Sequence, residues 1–484
     1  MDYDSLIRST RSDTVFKPVR APRPLKIPAH PVDEKESTMT SPPMSFPSGP
    51  AQSAADLQSR RDHALALLLT HRGDPLSEID RVLADDPHYV SGHCLRAAAI
   101  VRADAATARP RLVASLAAIE AACQDADDPA RRLADAARAW LEGDSALAAE
   151  RYGAILIDRP HDVLALATAH ALDFRLGWRR MLRDRPAQAL PAWNPGMPGY
   201  ESVLAMYAFG LEEDGQYRRA EELARRALTI DPRHPGAIHV LAHVMEMEGR
   251  AREGLAFLDE TEEAWIEGTA FSVHLAWHRA LFQVEADDPA SALATYDAQI
   301  ASSRGAEMPA LADGAALLWR LKLRNIPVGE RWQELADLWE RQPLAGARPF
   351  FIIHAVIALA GAGRMTAAAR AFAALARITT SDASPPLLEV ALAEPLCEAL
   401  LAFAGGDYAA CVEWLRPVHG VVHRCGGSLA QCDIVHLTFT EAALRARKPR
   451  LAGELVAERL AQKPTSRLNA RLQARLRTIE LAAA

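Results

Sequence analysis

The stretch DGQYRRAEELARRALTIDPRHPGAIHVLAHVMEMEGRAREGLAFL (214–258) decides the fold. Gly215 opens a turn, and an amphipathic helix follows it, with the small residue Ala220 five positions on. Asp231 and Pro232 break that helix, and the next one starts within a few residues. It runs to Gly249, where the cycle restarts with a small residue, Gly254, again five positions after the glycine. Twelve residues before Ala220 and Gly254 stand Ala208 and Ala242, small as well. Paired helices approach closely where both carry small side chains, so the spacing reads as a helix-turn-helix unit.

The pattern recurs. EGDSALAAERYGAILIDRP (142–160) carries Ala148, with Ala136 twelve before it and Pro160 twelve after it. The breaks DDPHYVSGH (85–93) and DRPHDVLAL (158–166) match DPRHPGAIH (231–239). GAGRMTAAARAF (361–372), GGDYAACVEWL (405–415) and ARKPRLAGELVAERLAQKP (446–464) extend it toward the C-terminus. A helix pair cannot bury its apolar face alone, but stacked pairs bury it continuously and curve. The expectation is an all-α, right-handed superhelical solenoid of nine or ten tetratricopeptide-like helix pairs, with a concave groove lined by the first helix of each pair.

Composition agrees. Aromatic residues make up 6% of the 484 residues, and the formal net charge is -7 with acids and bases interspersed. No basic face announces nucleic acid and no polybasic patch announces a membrane. No uninterrupted apolar run reaches spanning length. The six cysteines (Cys94, Cys123, Cys397, Cys411, Cys425, Cys432) form no CxxC pair and read as reduced thiols of a cytosolic protein. Residues 1–56 are Pro- and Ser-rich without periodicity, as expected of a disordered tail ahead of a solenoid over 57–484. Met39 and Met44 stand near its end as alternative starts, so translation of residues 1–38 is open.

Several segments, in order, resemble the tetratricopeptide repeat protein 38 family. They are PAWNPGMPGYESVLAMYAFGLEEDGQYRRAEELARRALTIDP (191–232), HVLAHVMEMEGRAREGLAFLDETEEAW (239–265), HLAWHRAL (274–281), ATYDAQI (294–300), VGERWQEL (328–335) and CGGSLAQCD (425–433). The resemblance covers residues from about 60 to about 478. It implies an atypical tetratricopeptide solenoid and no particular activity.

His239, His243 and Glu246 form one polar stripe in an apolar helix, because spacings of three and four share a face. His274 and His278 repeat the spacing one helix pair later, with Trp277 beside them. Imidazoles so placed chelate Zn²⁺ or another divalent metal, and Glu246 is then a ligand or general base for a metal-activated water. Alternatively the stripe is the polar wall of a groove, or histidines bonded between helices. No HExxH, P-loop or GxSxG element accompanies it. Asp313, His354 and His170 are further groove candidates, mid-helix in nearby repeats; a lone histidine there is more often a packing residue. Ser428 and Gln431 in RCGGSLAQCD (424–433) predict a capping box and a helix start, with an N-terminus suited to a carboxylate or other anion. The paired arginines Arg179/Arg180, Arg218/Arg219 and Arg225/Arg226 read as solvated outer faces, and the tryptophans as packing. The leading expectation is a cytosolic scaffold or adaptor that binds a peptide or protein in its groove. The alternative is a metal-binding protein or metal-dependent hydrolase centred on the histidines.

Overall fold

The computed structural model describes residues 53–301, 307–378 and 387–483. Most of the expected 1–56 tail lies outside them. The described residues are helical and form an α-solenoid. Its helices pair in order: α1 (Ala54–Thr70) with α2 (Pro75–Asp85), α3 (Val90–Ala103) with α4 (Arg109–Ala122), α5 (Pro129–Leu141) with α6 (Ser145–Asp158), and α7 (Val163–Arg175) with α8 (Arg179–Ala189). Then come α9 (Tyr200–Glu213) with α10 (Tyr217–Ile230) and α11 (Pro235–Met247) with α12 (Ala251–Glu260). A single helical turn, α13 (Glu262–Trp265), interrupts the series. The pairs resume as α14 (Ser272–Glu285) with α15 (Pro289–Thr295), α16 (Met308–Leu323) with α17 (Arg331–Glu340), and α18 (Pro349–Gly361) with α19 (Met365–Phe372), which the short α20 (Ala374–Ile378) follows. The last are α21 (Leu387–Ala404) with α22 (Tyr408–Leu415), α23 (Leu429–Arg445) with α24 (Pro449–Gln462), and a closing helix α25 (Arg467–Ala483). That makes eleven pairs among the described residues rather than nine or ten.

Local chemistry explains the boundaries. The side chains of Asp74, Asp144, Asp162, Asp288 and Asp407 each accept a backbone N–H three residues on, capping the helix they precede. Pro75, Pro129, Pro235, Pro289, Pro349 and Pro449 occupy first-turn positions, where a missing N–H costs nothing. Ala136, Ala148, Ala208, Ala220 and Ala242 are wholly inaccessible, as the close approach of paired helices requires. At Gly254 an added methyl would overlap the Phe282 ring, so the crossing there requires glycine.

The superhelix curls back on itself. Helix α23 packs across the groove against α16 and α11. An Arg348 guanidinium N–H donates to the Arg175 carbonyl at 3.0 Å, and the Gly73 N–H donates to the Gly268 carbonyl at 2.9 Å. These contacts narrow the concave side into a cavity.

Candidate metal centre

Helix α11 presents His239 and His243, and α14 presents His274 and His278. The insertion around α13 lengthens the link between the two pairs of helices without breaking their register: the imidazoles converge. One ligand-capable nitrogen from each of the four lies within 4.8 Å of all the others. Ring centroids are 4.3 Å apart for His239–His243, 4.8 Å for His274–His278 and 4.6 Å for His243–His278. Both sequence pairs thus form one cluster.

A carboxylate stands behind three of the four rings. Nδ1 of His243 is 3.2 Å from Glu212 Oε2, Nδ1 of His274 is 2.9 Å from Asp313 Oδ2, and Nδ1 of His278 is 2.9 Å from Glu246 Oε2. A carboxylate at Nδ1 takes the proton-bearing nitrogen and leaves the Nε2 lone pair free, the arrangement that orients metal-ligating histidines. The Nε2 atoms of His239, His243 and His278 are buried and make no hydrogen bond. A buried polar atom without a partner is costly. Three in one cluster, each an imidazole nitrogen, have the donor chemistry of a site for a divalent transition metal.

Electrostatics points the same way. Burial, then the neighbouring imidazoles, holds His239 and His278 well below the usual histidine range, and burial brings His243 down to about 4. These three rings are therefore neutral, as ligation requires. Burial, reinforced by Glu246, pushes the Glu212 carboxyl up to about 8; burial, reinforced by Glu212, does the same to Glu213. Four carboxylates (Glu212, Glu213, Glu246, Asp313) back the cluster. Among the described residues, only two cations stand within 4 Å of them: Arg179, 3.7 Å from Glu213, and Lys463, 3.7 Å from Glu246. Arg320 stacks over Trp277, its guanidinium carbon 5.3 Å from the ring centroid. A bound dication would relieve this excess of buried acid and draw the raised carboxyls back down.

Glu246 sits behind His278, with one oxygen 2.9 Å from that ring's Nδ1 and the other 3.7 Å from the Lys463 ammonium. His243 and His278 are completely inaccessible, hence a peptide laid along the groove would not touch them, while His239 keeps a narrow exposed edge on the cavity. Trp277 is buried and stacks on His274 at 5.1 Å, a wall of the cluster rather than a docking surface. His354 stays apart, its Nδ1 2.7 Å from the Phe350 carbonyl one turn back. His170 bonds the Met206 carbonyl at 3.0 Å and lines the cavity, while Asp313 belongs to the cluster itself. Arg179 is no solvated outer-face residue, because it reaches Glu213.

Sequence reasoning missed Glu212 and Glu213. Their signal was an acidic pair ending α9, 31 residues ahead of His243, one repeat back on the same face. The capping box at Ser428 and Gln431 is present, and the acceptor on that helix N-terminus is the chain's own Glu213 carboxyl, which accepts the Leu429 N–H at 3.0 Å.

The cluster forms one wall of a cavity of about 620 Å³. His239, His274 and Asp313 face it, beside Phe174, Phe209 and Phe271. Its size falls in the range of small-molecule pockets.

No family model matches the chain. Among solved structures it is similar to a human IFIT1 dimer with PPP-AAAA (14% identity, TM-score 0.35, covering 75% of this chain and 94% of that one). It is also similar to Naa15/Naa10 bound to HypK-THB (15% identity, TM-score 0.30, 90% and 72%) and to the APC/C hetero-tetramer Cut9-Hcn1 (13% identity, TM-score 0.26, 88% and 96%).

Proposed function

We propose that this protein, an α-solenoid of the tetratricopeptide repeat protein 38 family, holds one divalent transition metal on His239, His243, His274 and His278 and acts as a metal-dependent hydrolase on a small molecule. The observation that carries the reading is the set of three buried, unpartnered Nε2 atoms, two of them on rings with a carboxylate at the opposite nitrogen. Zinc fits four imidazoles, and so do the other imidazole-preferring ions of its row. An ion that keeps an open position toward the cavity would lower the pKa of a bound water and polarise a substrate carbonyl or phosphoryl oxygen. Part of His274 reaches that cavity, with 18% of its side chain accessible. A cytosolic location belongs to the proposal, supported by six free thiols.

The test is elemental analysis of purified protein after supplementation with zinc, iron, cobalt, nickel or manganese salts. Near-stoichiometric metal is expected in the wild type and its loss in His243→Ala, with helicity retained by circular dichroism. Wild-type protein that takes up none of these ions would overturn the metal reading and return the cavity to the adaptor reading, a groove for a peptide or protein partner.

A further inference from the structure

The wall of the cavity away from the histidines carries an unusual charge pattern. Four arginines line it: Arg72, Arg102, Arg175 and Arg348. Two aspartates do so as well, but Asp74 is occupied capping α2 and Asp313 is bonded to His274. None of the four guanidinium groups has a carboxylate within ion-pair distance among the described residues. They hold neutral acceptors instead. Arg175 donates to the carbonyls of Val101 and Arg102, Arg348 to the carbonyl of Arg175, and Arg102 to the imidazole of His71. Asp104 acts on Arg175, and Glu389 on Arg348, from beyond contact range. Arg102, Arg175 and Arg348 are thus brought side by side, linked through one another's backbones.

Three neighbouring cations repel, and taking them out of water is expensive without a counter-charge. Burial and the adjacent guanidinium bring Arg102 and Arg175 down to about 10. A guanidinium carries five N–H donors, and the carbonyls use only one or two of each group's. The remaining donors match a carboxylate or phosphate, which accepts from planar forks in pairs. The rest of the cavity surface is mainly apolar, with Phe174, Phe209 and Phe271 between the arginines and the histidine cluster.

We propose that the cavity binds an organic anion with an apolar body, its carboxylate or phosphate head on Arg102, Arg175 and Arg348 and its body along the phenylalanines. This builds on the metal-site reading by naming the class of molecule presented to it, yet the arginine pocket is measurable without metal.

The experiment is calorimetric titration of chelator-treated protein with 4-phenylbutyrate, 4-phenylbutyl phosphate, 4-phenylbutan-1-ol and 4-phenylbutylamine. The two phosphate and carboxylate arms separate the head groups. At least one of the two acids is expected to bind about ten- to a hundredfold more tightly than the alcohol, the range of a charge-assisted hydrogen bond. The amine is expected to bind weakest. Arg348→Gln should abolish the preference for the acid, whereas Arg348→Lys should keep part of it. Ala171→Phe leaves every guanidinium in place but narrows the cavity, and should weaken all the ligands. Equal affinity for acid, alcohol and amine, or no binding of either acid by wild-type protein, would overturn the proposal. That result would leave the metal measurement untouched. Conversely, acid-selective binding by protein that holds no metal would support the arginine pocket and count only against the metal centre.

Discussion

Replacing Glu246 by glutamine tests whether the carboxylates behind the rings serve metal binding. In the native protein Glu246 Oε2 accepts from His278 Nδ1 at 2.9 Å, and His278 is wholly buried. Glutamine keeps the shape and an acceptor oxygen but removes the negative charge that raises the basicity of the ring. It also removes the partner of Lys463, 3.7 Å away. Outer-shell substitutions of this kind weaken metal affinity about 10- to 100-fold, or roughly 1.4–2.7 kcal/mol. Asp313→Asn should fall at the lower end, because His274 is partly accessible and water substitutes in part for the lost charge. The measurement is competition for Zn²⁺ against a chromophoric chelator, with circular dichroism to show intact helicity. Asp297→Asn, which touches only Arg331 on the surface, serves as control. A folded Glu246→Gln protein with a dissociation constant within about twofold of wild type would refute the argument, since the carboxylate would then be a packing partner and nothing more.

Acid should act against folding through three buried histidines of the metal-free protein. Burial lowers His170 to about 3, and His234 and His354 to about 4, so below pH 6.5 the unfolded chain binds protons that the folded chain refuses. Each is neutral to stability above pH 6.5 and opposes folding increasingly toward pH 4, by up to ~3 kcal/mol per group. The raised carboxyls of Glu212 and Glu213 act with the opposite sign, so the check is the urea midpoint of wild type relative to His354→Gln, which should fall between pH 7.5 and pH 5, and an unchanged difference would contradict this. Gly210→Ala places a methyl against the backbone of Leu182 and Arg183, where neither can yield without moving α8, and should cost about 1–3 kcal/mol in urea denaturation. Ser428→Ala removes one half of the capping box of α23 and should cost about 1 kcal/mol, and an unchanged midpoint would count against that role.

Repeat architecture is legible in this chain because each unit writes its own boundaries: an aspartate cap, a proline in the first turn, a glycine turn and small residues twelve apart are all local. The two histidine pairs were legible for the same reason, as spacing on one helix face. Their partners were not. Glu212 and Asp313 lie one repeat to either side, and only stacking of α9, α11, α14 and α16 decides which carboxylate reaches which ring. Glu246 shows the converse, since its helical spacing put it among the ligands while packing turned it behind His278. The arginine pocket was invisible in sequence. Arg102, Arg175 and Arg348 are scattered over 246 positions and meet only because the superhelix closes. Local hydrogen bonding and steric spacing set the solenoid from the sequence; long-range closure, which no short-range pattern encodes, decided what its concave side encloses.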